Sequence, residues 1–143
     1  MIQGERLFKV LGEGRRPCHG GKGTWALPVG RRLGKWMPAI VGDLQPCIHG
    51  YHLCREQDLV AWLGPTIYLA EYRGERREAD DKIVVREARL RVRLTTWNER
   101  VARRFAADCA ERVLPVFEAI CHNDRRPHEA IAIARQWADG AHS

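Results

Sequence analysis

The octapeptide Cys47-Ile48-His49-Gly50-Tyr51-His52-Leu53-Cys54 sets two cysteines and two histidines symmetrically about a glycine. Gly50-Tyr51 fits the centre of a type II′ hairpin turn, which needs glycine first. Such a turn puts His49 opposite His52 and Cys47 opposite Cys54, all four on one face. That face can hold a metal, form a cross-strand thiol pair or line a polar pocket, and residue types alone leave all three open. Zinc suits these ligands but wants four at tetrahedral angles. Each two-residue step along a strand covers roughly 6–7 Å, so four ligands on one flat hairpin do not converge readily. Two of them joined by Cys18 and His19, from an earlier glycine-rich loop, make an easier set. The expectation is hydrogen-bonded histidines, buried thiols and no metal, with zinc at Cys47, His49, His52 and Cys54 as the alternative.

The same residues are the chain's candidates for catalysis. His49 or His52 can serve as a base, Cys47 or Cys54 as a nucleophile, and Glu71 or Glu87 as a carboxylate. The sequence has no glycine-rich phosphate loop, no nucleophile elbow and no His-Glu-x-x-His helix.

The elements that position these groups follow from composition and pattern. With 143 residues, 45% of them hydrophobic and 29% charged, the chain can bury one core. No apolar run is long enough to span a bilayer and the N-terminus shows no hydrophobic signal region, which predicts a cytoplasmic chain without membrane contact. Five cysteines, an odd number, argue against a complete disulfide framework.

A change of pattern near Thr95 predicts a β-rich domain over residues 1–95 and a helical subdomain over 96–143, packed on it. Leu7–Leu11 reads as a short strand, Thr24–Pro28 as an edge strand closed by its proline, and Glu56–Leu63 as a short helix stopped by Gly64-Pro65. Thr66–Tyr72 and Ile83–Leu94 read as strands. Thr96 with Glu99 has capping-box spacing. Trp97, Val101, Phe105, Cys109 and Leu114 then track one helical stripe toward a core. Pro115 should kink or restart that helix, and Pro127 should open a last one.

The net charge of +6 rests on arginine; lysine occurs only at Lys9, Lys22, Lys35 and Lys82. Along the second long strand Ala88, Leu90, Val92 and Leu94 alternate with Arg89, Arg91 and Arg93. Period two puts the apolar set in the core and the arginines in a row outside. Arg100, Arg103 and Arg104 add a basic helix face. Guanidinium groups suit carboxylate and phosphate partners, so an acidic protein surface is the first expected partner and nucleic acid the alternative.

Two resemblances bear on function. Asp108-Cys109-Ala110-Glu111-Arg112-Val113-Leu114-Pro115-x-Phe117-Glu118, with Asn123-Asp124-Arg125-Arg126-Pro127-x-x-Ala130-Ile131-x-x-Ala134-Arg135, resembles the helical repeat of immunity proteins. Leu7–Leu11, Gly23-x-Trp25, Trp36-Met37-Pro38, Cys47-x-x-Gly50-Tyr51-His52-Leu53-Cys54, Trp62–Pro65 and Lys82–Leu90 resemble a family of small proteins of phages and mobile elements. Together these imply binding to and neutralising a host or rival macromolecule, without chemistry and without a cofactor. The enzymatic alternative is an ADP-ribosyltransferase using NAD. That fold is matched by the order Lys9, Tyr51-His52, Glu87, although its Arg-Gly or His-Gly on the first strand is missing.

The sequence thus predicts an α+β protein, with an N-terminal mixed or antiparallel sheet, a short helix and a C-terminal antiparallel helical pair.

Overall fold

The structure, a computed structural model, describes residues 4–140. It divides into two compact units, Met1–Thr95 and Thr96–Ser143. The first holds four strands, β1 (Leu7–Leu11), β2 (Tyr51–Arg55), β3 (Thr66–Glu78) and β4 (Ile83–Arg93). They close into a barrel in the order β1-β2-β4-β3 with every pairing antiparallel. Closure leaves none of the four at an open edge. Leu7, Leu11, Leu53, Ile83, Val85 and Leu90 fill the core with Trp25 and Tyr68. The second unit holds α1 (Glu99–Glu118) and α2 (Arg126–Ala138). The molecule is α+β.

Several local expectations are corrected. Gly50-Tyr51 is not a hairpin turn. Tyr51 opens β2, which pairs with β1 and β4, and the preceding residues form a turn closed by reciprocal backbone bonds of 2.9 Å between Gln45 and His49. Glycine is required at 50 because φ is +130° and a Cβ there would meet Val84 Cγ2 at 2.3 Å. Thr24–Pro28 is not a strand; the Trp25 amide donates to the Arg15 carbonyl at 2.9 Å and the indole is buried in the core. The short helix expected at Glu56–Leu63 is present as a 3₁₀ helix over Glu56–Trp62.

The alternation on β4 holds only to Leu90. Between Leu69 and Ala70 of β3 the register shifts, so Arg91 is the extra residue of a bulge. An extra residue reverses which face the following side chains take. Val92 is accordingly 48% exposed, and Arg89, Arg91 and Arg93 do not form one row.

In the helical unit the cap is Asn98, not Thr96: the Asn98 side-chain oxygen accepts from the Val101 amide at 3.0 Å. Pro115 lies inside α1 without ending it. Pro127 is the second helical residue, and the Asp124 carboxylate accepts from the Arg126 amide at 3.0 Å. The helices run antiparallel, joined by Arg103 over the Trp137 ring, Arg135 with Asp108 and His128 with Glu118. Only Ala107 and Ala138 are buried in this pair. The predicted core stripe is therefore largely exposed: Val101, Phe105 and Cys109 all reach solvent.

Candidate functional site

The barrel unit contains a cavity of about 690 Å³. Its walls come from the middle of β1, the start of β2, the glycine-rich segment 17–22 and the turn 47–50, with Trp25, Trp62 and Lys82. Lys9 supplies its most unusual group. β1 is buried along its whole length, which leaves Lys9 only 9% exposed. Its ammonium donates to the His52 carbonyl at 2.9 Å and lies 5.0 Å from the Trp25 ring centroid. Burial lowers its pKa to about 8; the nearby Cys54 and Cys18 thiols oppose the shift. Burial in turn pushes Cys54 up to about 11 and raises Cys18. At neutral pH the cation thus faces protonated thiols.

His52 is fixed as a neutral ring. Its Nε2 accepts from the Cys47 amide at 2.7 Å, so the ring proton belongs on Nδ1. Burial, and then the charges of Lys9 and Lys82, hold its pKa down. Cys47 adopts a left-handed backbone with φ of 67°, a conformation that costs about 1–3 kcal/mol outside glycine and that the bond to His52 helps to hold. Lys82 is hydrogen-bonded to the Cys47 thiol, which raises the lysine pKa, and its ammonium lies 4.7 Å from the Trp62 ring centroid. His19 Nε2 donates to the Trp62 carbonyl at 2.7 Å, and His49 Nε2 to the Val41 carbonyl at 2.6 Å. A Cβ on Gly64 would meet Cys18 Sγ at 2.7 Å, so glycine there admits the thiol.

The structure gathers Lys9, Tyr51 and His52 onto one cavity wall but leaves Glu87 outside it. Glu87 pairs across the strands with Arg73 at 2.7 Å. Its charge reaches Tyr51, whose phenol is raised first by burial and then by Glu87. Tyr51 donates to the Pro38 carbonyl at 2.7 Å and meets the Trp25 ring edge-on. Cys47, His49, His52 and Cys54 all line the cavity but do not converge as ligands, since His49 and His52 are spent on backbone groups. Among the described residues no three His, Cys, Asp or Glu side chains are grouped to hold a metal.

The six arginines proposed for partner contact fare differently. Arg89 lies over Trp36 at 4.5 Å and pairs with Glu71. Arg91 sits 3.9 Å from the same carboxylate. Arg103 pairs with Glu99 at 2.9 Å, and Arg104 with Asp139. Arg93 and Arg100 have no ion pair among the described residues. Residues 96–143 carry seven arginines against seven carboxylates, so the whole net charge lies in residues 1–95.

Sequence reasoning passed over Trp25, Trp62, Lys22 and Lys82 as site residues. The available signal was the scarcity of lysine, because three of the four lysines line this cavity.

Residues 93–143 match the family model described as Imm-5 like putative immunity protein. The match takes in the helical unit and the last residue of β4. No curated protein and no solved structure matches. No helix among the described residues is long and apolar enough to cross a membrane.

Proposed function

We propose that this chain is a non-catalytic binding protein of the immunity type, which neutralises a host or rival protein by occupying its surface. The observation that supports this most is the likeness of residues 93–143 to immunity proteins, on a unit whose apolar side chains are largely uncovered. Val116 is 68% and Ile120 78% exposed, and Val113 and Ile133 also lie open. Exposed apolar side chains grouped on one small unit mark a contact surface. Its charge is balanced, so apolar contact leads there, while Arg100 on the same unit favours an acidic rim on the partner.

The test is co-expression with a toxin encoded beside the gene. The wild-type chain restores growth and elutes with the toxin as a stable complex. Val116→Asp and Ile120→Asp, both at exposed positions, lose rescue while keeping helical content and melting temperature. Full rescue by both variants would remove the helical unit from the contact.

A further inference from the structure

We propose that the barrel cavity binds a phosphorylated small molecule, holding its phosphate on the ammonium groups of Lys9 and Lys82. The cavity's charge is one-sided. Lys9, Lys22, Lys82 and three histidines line it, and among the described residues no aspartate or glutamate does. A volume of about 690 Å³ lies in the range that takes a small organic ligand.

Lys9 is the observation that points to an anion. The ammonium of a lysine only 9% exposed ordinarily stands beside a carboxylate, because burying an unpaired charge is costly. Here it has a single hydrogen bond among the described residues, to a carbonyl, along with the Trp25 ring face and two thiols. Two of its three N–H groups remain to be used. Lys82 carries a second charge to the same cavity, whose wall it shares with Lys9. The nearest carboxylate to Lys82, Asp81, is 3.6 Å away with its side chain half exposed, and is not part of the wall. His52 cannot relieve the excess, because its Nε2 lone pair is taken by the Cys47 amide. A phosphate in the cavity would supply the counter-charge that Lys9 lacks and could also be held by Lys82, whose present ion pair is to Asp81 outside the wall; ammonium is a common phosphate partner.

Calorimetric titration of the full chain with ADP, inorganic pyrophosphate and adenosine tests this. ADP and pyrophosphate are expected to bind with Kd below about 1 mM and adenosine not to bind. Lys9→Met and Lys82→Met should each weaken ADP binding about tenfold or more, the loss expected for one charge-assisted hydrogen bond. Lys82→Met lies at the edge of the barrel and keeps the test decisive should Lys9→Met disturb folding. Absence of binding by both phosphates, binding of adenosine as tight as ADP, or ADP affinity unchanged in Lys82→Met would each overturn the proposal. None of these outcomes depends on whether the helical unit binds a protein.

Discussion

The Cys47 amide donates to Nε2 of His52 at 2.7 Å, tying a residue with left-handed backbone to the start of β2. The octapeptide lines the cavity, and this bond holds the turn at Cys47 against the start of β2. His52→Ala leaves that amide without its acceptor and should cost about 1–2 kcal/mol in urea unfolding. Because His52 is held below its ordinary pKa, its contribution is present above about pH 6.5 and is lost as pH falls through the folded value. The wild type should therefore lose stability over that acid window more steeply than His52→Ala.

Lys9 gives the opposite end of the pH range its own signature. Its pKa is about 8 in the fold against 10.5 in the open chain, so from pH 8 upward the unfolded chain binds the extra proton and stability rises. Between pH 8 and 9 the rise should be about 1 kcal/mol. Above pH 9 Cys54 works against it, because a thiol raised to about 11 keeps its proton in the fold while the unfolded thiol releases it. Denaturant melts at pH 7, 8 and 9 check this, and Lys9→Met should flatten the rise.

Gly50→Ala should destabilise the barrel by about 2–4 kcal/mol. The new Cβ would lie 2.3 Å from Val84 Cγ2 and 3.1 Å from Leu44 Cδ2, on a backbone with φ of +130°. Thermal unfolding measures the loss; an unchanged melting temperature would show that β2 starts differently.

The arginines should separate by what each touches. Arg89→Ser removes a half-buried contact with Glu71 and Trp36 and should cost about 1 kcal/mol. Arg93→Ser, at an exposed residue without an ion pair among the described residues, should leave unfolding unchanged. If Arg93 meets an acidic partner, its loss should weaken that complex mainly at low salt.

Strand composition made β1, β3 and β4 legible, and Pro127 with its helical periodicity made α2 legible, because those signals are local. The hairpin at Gly50-Tyr51 failed for a non-local reason: β1 and β4 offered β2 better pairing than its own preceding residues did. Val92 was misplaced because a single bulged residue, Arg91, depends on the register of β3 and has no mark in the sequence of β4. The stripe through Val101 and Phe105 looked like a core because periodicity shows an apolar face but not what covers it. Lys9, Tyr51 and His52 were singled out from their order along the chain, whereas Trp62 and Lys82 join them only through barrel closure.

The most direct test of the binding account is the stoichiometry of protection. A fixed amount of the toxin encoded beside the gene is titrated with purified chain while toxin activity is followed. An inhibitor that acts by occupying a surface gives activity falling linearly to zero at one chain per toxin, with active toxin recovered when the complex is dissociated in denaturant and refolded. Complete protection at a small fraction of one equivalent, with the toxin permanently altered, would contradict the account and make the chain an enzyme.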